Sequence, residues 1–218
     1  MKNKAGPSIN SLTKGTHMKV LLIGASGTIG SAVHNALLPQ HEVITANHSS
    51  NSDIKVDLND HQSIKNMFSK TTKVDAIICT AGNGQLKPLH QHRDEDYTNV
   101  LHNKLMGQVN VFRFGVKYLN EGGSVTLTTG RAHREQIPGS SSIAMATAAL
   151  EGFISAASIE SKNIRLNAVS PAPVQESLAK LGFEMPNAVS ASDTAKAYLD
   201  ALNGTFHGQI IQTSDYAN

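Results

Sequence analysis

Three glycines near the start of the chain have the spacing of a phosphate-binding turn. Gly24, Gly27 and Gly30 show G-x-x-G-x-x-G spacing directly after the apolar run at 20–23, and a pattern typical of a helix follows. Glycine lets the backbone approach a ligand closely, and the free N–H groups at a helix N-terminus attract phosphate. A strand, a glycine turn and a helix in this order favour dinucleotide binding over a turn that only closes a strand–helix unit.

The other apolar runs alternate with helical patterns and must position this turn. Further strands are predicted at 42–46, 54–58, 74–79, 124–129, 164–169 and 208–212, and helices at 60–70, 94–119, 141–161, near 176 and at 192–202. Asp60 is predicted to cap the helix that follows it. The strands are apolar on consecutive residues, which indicates burial on both faces. The predicted fold is therefore α/β, a single doubly wound Rossmann-like domain with a parallel sheet of about seven strands and ligands at the carboxyl ends of the strands.

The composition is that of a nearly neutral body preceded by a basic leader. Of 19 basic residues, Lys2, Lys4 and Lys14 fall within residues 1–17, which leaves 16 against 17 acidic residues in the remainder. The near-neutral body does not indicate nucleic acid as a partner. The leader lacks the apolar block of a signal peptide, so we expect a flexible leader or an added extension before a domain at 18–218, with Met18 as a candidate original start.

Cysteine and histidine usage narrows the chemistry further. Cys79 is the single cysteine, which excludes an internal disulfide and favours a reducing, cytoplasmic compartment. The histidines show no zinc-like spacing apart from His90-x-His92, so no metal is expected. We expect no apolar stretch to reach transmembrane length, and no membrane partner is expected.

Seven short motifs occur in the order found in the short-chain dehydrogenase/reductase family, which the chain resembles over residues 18–218. They are GASGTIG at 24–30, VDL at 56–58, TAG at 80–82, TTG at 128–130, AAL at 148–150, IRLNAVSP at 164–171 and GQII at 208–211. The resemblance implies an NAD(P)-dependent oxidoreductase that acts on a small substrate and forms a homodimer or homotetramer.

The resemblance also implies where a cofactor would bind. The matching positions fall at the pyrophosphate loop, beside the adenine, along the ribose and around the nicotinamide. In that order they are Gly24, Ser26, Gly27, Thr28 and Ile29; Asp57 and Leu58; Ala81 and Gly82; and Thr128, Pro171, Ala172 and Val174. Ala172 stands where the family usually has glycine.

The end of the second predicted strand bears on the choice between NAD and NADP. NAD-selective members place a carboxylate there for the ribose hydroxyls, whereas this chain has Asn47, His48, Ser49 and Ser50 and no acid. The absence of an acid removes repulsion of a 2′-phosphate, and these side chains supply donors, although no arginine is present to clamp the phosphate. NADP is therefore favoured over NAD.

The family's catalytic residues are missing at the matching positions. The family uses Tyr-x-x-x-Lys, a serine thirteen positions before the tyrosine, and an asparagine on the long helix. Ile143, Thr147 and Gly130 occupy the tyrosine, lysine and serine positions, and Lys104 occupies the asparagine position. Lys104 could protonate an intermediate, polarise a carbonyl or attract an acidic substrate, or it could simply pair with a carboxylate or the ribose. Thr129 is a second candidate, because its hydroxyl lies beside the lost serine.

Two functions from different classes fit these features. One is an NADP(H)-dependent oxidoreductase with a non-standard proton donor; the other is a catalytically degenerate NADP(H)-binding sensor or partner protein. A fold that has lost even the cofactor is a third alternative. Arg131, His133 and Arg134 could bind an anionic substrate or simply be solvated. The segment at 175–187 carries Leu178, Leu181, Phe183 and Met185, which suggests a small and fairly apolar substrate site.

Overall fold

Parallel strands form a single seven-stranded sheet in the computed structural model, which describes residues 17–49, 51–182 and 184–217. The strands are β1 (Lys19–Ile23), β2 (Glu42–Asn47), β3 (Ile54–Lys55), β4 (Val74–Cys79), β5 (Leu119–Thr128), β6 (Arg165–Ser170) and β7 (Ile210–Gln212). Their order is β3-β2-β1-β4-β5-β6-β7. The predicted doubly wound fold is confirmed. Residues 1–16, which make up nearly all of the expected leader, lie outside the described residues, as do Ser50 and Phe183.

Helices cover both faces of this sheet. They are α1 (Thr28–Leu37), α2 (His61–Ser69), α3 (Asp94–Val100), α4 (Gln108–Gly115), α5 (Ala132–Glu135), α6 (Ser141–Glu160), α7 (Gln175–Lys180) and α8 (Ala191–Asn203). Short 3₁₀ turns occupy Leu89–Gln91, Val116–Tyr118 and Thr213–Tyr216. The predicted cap of α2 is present, since the Asp60 carboxylate accepts the backbone N–H of Gln62 at 2.8 Å.

Alternate side chains of the central strands pack into two separate hydrophobic cores, one on each face of the sheet. Leu21 and Ile23 point to the face covered by α2, α4 and α6, whereas Val20 and Leu22 point to the face covered by α1 and α8. All four side chains are fully buried. Burial on both faces is the reason that these strands are apolar without alternation.

Strand order reverses direction at β1 and β4, and this opens a crevice at their carboxyl ends. The chain proceeds outward from β1 through β2 and β3, then returns to lay β4 on the other side of β1. The loops after β1 and β4 therefore diverge to opposite faces. Such a switch point is where doubly wound folds bind ligands.

The fifth strand differs from the prediction at both ends. Pairing with β4 begins at Leu119, breaks between Val74 and Ala76, and resumes at Ser124. Gly122, with φ of +74°, supplies the left-handed residue in this irregularity. The glycine pair lies within the strand as a bulge rather than in front of it, and Thr129 lies one residue beyond the end.

A π-helical segment, Leu101–Gly107, joins α3 to α4 within the long helical region. The helix predicted at 94–119 is thus divided, with boundaries at Gly107 and Gly115, and both glycines are also points of close packing. A Cβ at Gly107 would lie 2.8 Å from Leu58 Cβ, and one at Gly115 would lie 2.7 Å from Ile77 Cδ1. π-helical turns are uncommon and occur frequently at functional sites.

α6 is the most apolar helix in the described part of the chain. With 20 residues and a mean hydropathy of 1.4, it is long and apolar enough to cross a membrane by those measures alone. The expectation that no stretch reaches that length is therefore wrong. Core helices pass the same test, and α6 buries Leu150 and Ile154 against the sheet.

Candidate functional site

The glycine loop between β1 and α1 is held against the start of the loop that follows β4. Gly24 has φ of +91°, and a Cβ there would lie 2.8 Å from the Ala81 nitrogen. At Gly30 a Cβ would lie 1.9 Å from the Gly24 oxygen. The first intrahelical bond of α1 runs from Ser31 N to Gly27 O at 2.8 Å, which leaves the preceding N–H groups of the helix without helical partners. This loop has the geometry of an anion site.

A groove of about 540 Å³ runs from this loop along the carboxyl ends of the central strands. Eleven of the predicted cofactor residues line it: Gly24, Ser26, Gly27, Thr28, Ile29, Asn47, His48, Asp57, Leu58, Ala81 and Gly82. Asn103 from the π-helical segment and Ser177 from α7 line it as well, and the sequence did not point to either. The size, the glycine cradle and the row of backbone edges fit a dinucleotide.

The end of β2 has a mainly structural asparagine and an accessible histidine. The Asn47 side chain is buried, accepts Ser26 N–H at 3.2 Å and donates to Asn51 O at 3.4 Å. It therefore ties the glycine loop to β2. His48 is largely exposed, with Nε2 at 3.8 Å from an Asp57 carboxylate oxygen. Ser49 is exposed and lies outside the lining of the groove.

Thr128 fixes the ends of β4 and β5 and does not line the groove. Its hydroxyl donates to Cys79 O at 2.6 Å, so the Tyr198 hydroxyl must donate to Thr128 Oγ1 at 2.7 Å. Burial raises the pKa of Tyr198 well above its usual range. Leu202 rather than a lysine follows Tyr198 four residues on, so Tyr198 does not fit the Tyr-x-x-x-Lys motif.

Gln108 links the π-helical segment to the end of β5. Its amide nitrogen donates to Thr128 O at 2.8 Å and to Lys104 O at 2.9 Å, while its oxygen accepts Thr128 N–H at 2.7 Å. The side chain is fully buried. The sequence shows a glutamine four residues after Lys104, but it does not show that this side chain is buried or that it bonds β5. Both depend on the tertiary fold.

Lys104 lies beneath one end of the groove. A Cβ at Gly82 would lie 3.2 Å from Lys104 Cγ, so the lysine stem packs directly against a backbone position that lines the groove. Lys104 is 8% exposed, and no carboxylate of the described residues forms an ion pair with it. Burial lowers its pKa to about 8, an effect that the neighbouring Cys79 thiol partly opposes. The carboxylate-pairing alternative is not seen.

The positions matched to the usual serine, tyrosine and lysine lie close to one another but lack their chemistry. A Cβ at Gly130 would lie 3.4 Å from the Thr147 methyl group. The Thr147 hydroxyl donates to Ala144 O at 3.1 Å, and Ile143 packs against Gly84. Apolar and short side chains fill the space that the catalytic pair would take.

Thr129 belongs to a charge cluster on the outer side of this region. Its hydroxyl donates to Glu151 Oε1 at 3.1 Å. The His133 ring nitrogens face Thr147 Oγ1 at 3.1 Å and Glu151 Oε2 at 3.3 Å, and Arg134 also pairs with Glu151. Arg131 pairs with Glu135 at 2.6 Å. The cations of this loop are thus neutralised within the chain, which weakens the case for an anionic substrate there.

The segment after β6 is anchored away from the groove lining. Ala172 N–H donates to Thr213 Oγ1 at 2.8 Å, and a backbone bridge joins Val174 to Val189. Pro171, Ala172 and Val174 do not line the groove. Farther along, Lys180 Nζ donates to Thr28 Oγ1 at 3.0 Å, which brings α7 across the start of α1. In the described ranges, no group of three His, Cys, Asp or Glu side chains is placed to hold a metal ion.

Comparison with known proteins agrees with this geometry. Residues 28–214 match the family model described as enoyl-(acyl carrier protein) reductase. The chain belongs to the short-chain dehydrogenase/reductase family. It is 40% identical to the protein lin1944 from Listeria innocua, whose structure superposes with a TM-score of 0.85 over 89% of this chain and 98% of that one.

Two further relatives show how broad this similarity is. The hydroxynaphthalene reductase arp2 from Aspergillus fumigatus is 30% identical over 108 residues, a match that spans 49% of this chain and 40% of the reductase. A small-chain dehydrogenase crystallised in complex with NADPH is 24% identical, with a TM-score of 0.79 over 90% of this chain and 96% of that one. This last likeness is one of fold.

Proposed function

We propose that the protein is an NADP(H)-dependent oxidoreductase that acts on a small substrate and uses Lys104 as proton donor in place of a tyrosine. The observation that carries the proposal is the position of Lys104. Its stem packs against Gly82 at the edge of the nucleotide groove, and its ammonium has no carboxylate partner among the described residues. Family membership supports the oxidoreductase class.

The chain would supply binding, orientation and a proton. NADP(H) when bound supplies the hydride. The glycine loop and the start of α1 would hold the pyrophosphate, and Gly82 would lie along the ribose. Lys104, with a pKa of about 8, is close to the range in which general acids work at neutral pH. Thr129 would act indirectly, by fixing Glu151 at the corner between β5 and α6.

A catalytically degenerate NADP(H)-binding protein is the second candidate. The described tyrosines support it, because each is engaged elsewhere. Tyr97 bonds Ser141, Tyr118 stacks on Phe68, Tyr198 bonds Thr128 and Tyr216 bonds Asp200. For either function we expect a homodimer or homotetramer in the cytoplasm, without nucleic acid, membrane or metal partners.

Replacement of Lys104 by methionine separates the two functions. We expect NADPH turnover, measured over aldehydes, ketones, enones and quinones, to fall at least about 100-fold, the scale of general acid catalysis. The free energy of unfolding should increase by about 1–3 kcal/mol, because an apolar side chain of similar length replaces an unpaired buried ammonium. The melting temperature should rise accordingly.

The matched control is Lys73→Met, since Lys73 donates to a backbone carbonyl, Leu119 O, at 3.3 Å away from the groove. Its turnover should be unchanged. If the Lys104→Met variant turns over substrate at the wild-type rate, Lys104 is not the proton donor. NADPH binding with no turnover on any substrate would favour the degenerate protein.

NADP selectivity is proposed from the end of β2, where His48 is exposed and residues 45–49 carry no carboxylate. The NADPH complex of the related dehydrogenase supports this choice. His48→Ala should weaken NADPH binding about three- to ten-fold, the scale of one ordinary hydrogen bond, and leave NADH binding nearly unchanged. Fluorescence titration measures both, with exposed His61→Ala as the control. Equal losses for the two nucleotides would contradict the assignment.

A further inference from the structure

A second, polar cavity of about 350 Å³ adjoins the nucleotide groove beside α3 and the start of α6. It shares Asn59, Asn83 and Asn103 with the groove, and Gln85 and Asn99 bring its side-chain amides to five. Small-molecule sites typically measure about 300–1,000 Å³, so the cavity can hold a compact ligand.

One hydroxyl that lines this cavity has no hydrogen-bond partner among the described residues. Ser142 is 1% exposed and lines the cavity, and its Oγ makes no hydrogen bond with the described residues. Buried hydroxyls are nearly always hydrogen-bonded. Since Ser142 follows Ser141 at the start of a helix whose face here is otherwise apolar, an alanine would pack equally well.

A histidine nitrogen in the same cavity is also without a partner. His92 Nε2 lies 2.9 Å from Lys87 O, which can only accept, so this nitrogen carries the proton. In the neutral ring Nδ1 is then an acceptor, and it is buried with no hydrogen bond to the described residues. The ring lies against Tyr97 with centroids 5.1 Å apart, which fixes its orientation.

The charges of the cavity wall cancel within the wall. Lys87 Nζ and Asp96 Oδ2 form an ion pair at 2.6 Å, and the remaining polar groups are amides, a hydroxyl and the imidazole. Asn103 Oδ1 accepts Asn83 N–H at 2.9 Å, so its amide nitrogen keeps its protons for a ligand. A ligand that both donates and accepts, and that carries no net charge, matches these groups.

We propose that this cavity binds a neutral, hydroxyl-rich molecule of about monosaccharide size, as the polar part of the substrate. The role as substrate part rests on the proposed oxidoreductase function. The cavity is next to the reacting region, because Gly84 in its wall packs against Ile143, at the position matched to the usual tyrosine. The ligand's hydroxyls pair with Ser142 Oγ and the side-chain amides, and the His92 ring forms part of the cavity wall.

Saturation-transfer NMR on the full chain, with and without NADPH, tests the site with three six-carbon probes: myo-inositol, D-gluconate, which adds a negative charge, and cyclohexanone, which lacks the hydroxyls. Myo-inositol should bind, and Ser142→Ala should weaken it at least about five-fold, the loss of one hydrogen bond. Without probe, Ser142→Ala should melt at the same or a higher temperature, because an unsatisfied hydroxyl is removed. Exposed His90→Phe should leave binding unchanged.

Several results would overturn the inference. The first is a failure of myo-inositol to bind at concentrations up to about 50 mM, well above the range expected for a fragment of this size. The second is tighter binding of gluconate or cyclohexanone than of myo-inositol. The third is equal affinity of myo-inositol for wild type and Ser142→Ala. The proposed function fails separately. If myo-inositol binds as described but no hydroxylated carbonyl compound is turned over, the site stands and the substrate role falls. If turnover is found and Ser142→Ala leaves KM unchanged, the site falls and the oxidoreductase stands.

Discussion

The buried ammonium of Lys104 lowers the stability of the fold but is suited to the proposed role as proton donor. An ammonium buried without a counter-charge destabilises the folded state, and most proteins avoid it. Here it is held under the groove by the Gly82 contact and by a helix segment whose carbonyl is bonded by Gln108. A side chain kept in a costly position at the edge of a ligand groove is a candidate for function.

The pKa of Lys104 predicts a pH profile for the reaction. In the reductive direction the donor must be protonated, so kcat/KM should be constant below pH 8 and fall about ten-fold per unit above a pKa of about 8. In the oxidative direction the sign reverses, and the rate should rise through the same pKa. Steady-state rates from pH 6 to 10 measure both limbs.

The same shift predicts how stability depends on pH. Because the folded-state pKa is below the ordinary lysine value of 10.5, the unfolded chain binds more protons between about pH 8 and 10.5, and this group makes stability rise with pH in that window. Lys104→Met should flatten both curves. An inflection near pH 8 that persists in Lys104→Met would assign it to another group.

At the scale of elements, the predictions succeeded where local pattern alone decides the structure. β4 has the predicted bounds, and the glycine loop, the Asp60 cap and the position of β1 follow from apolar runs and turn residues. β5 begins earlier than predicted, because a bulge at Gly122 keeps polar residues in the strand. Bulges and π-helical turns depend on partners across the sheet, which a single sequence does not reveal.

In the candidate site, too, some features could be predicted from the sequence and others depend on the tertiary fold. The groove residues could be predicted because backbone and glycine positions follow the motif order. The contacts of Thr128 and Thr129 could not, because Tyr198 lies 70 residues from one and Glu151 lies 22 residues from the other. Asn47 has a contact that the sequence did not predict, since its side chain ties the glycine loop to β2 while the residue also lines the groove.

At the scale of the whole molecule, the groove and the exposed face of α6 are different surfaces. The groove opens at the carboxyl edge of the sheet, whereas α6 turns an exposed apolar stripe outward. This stripe repeats every three or four residues and comprises Met145, Ala148, Ala149, Gly152, Ser155, Ala156 and Ile159. Its buried face packs on the sheet, so the outward face is left for a second helix.

The stripe predicts self-association through α6. A Cβ at Gly152 would meet nothing within 4 Å in the isolated chain, so Gly152→Glu should leave the protomer folded. Between two closely packed helices, however, a carboxylate at this position would be desolvated opposite its own copy, and like charges in such a contact cost several kcal/mol. We therefore expect wild type to sediment as a dimer or tetramer at micromolar concentration, and Gly152→Glu as a monomer. Gln62→Glu, at an exposed position of α2, should behave as wild type. A monomeric wild type, or an assembly that survives Gly152→Glu, would show that this face is not the interface.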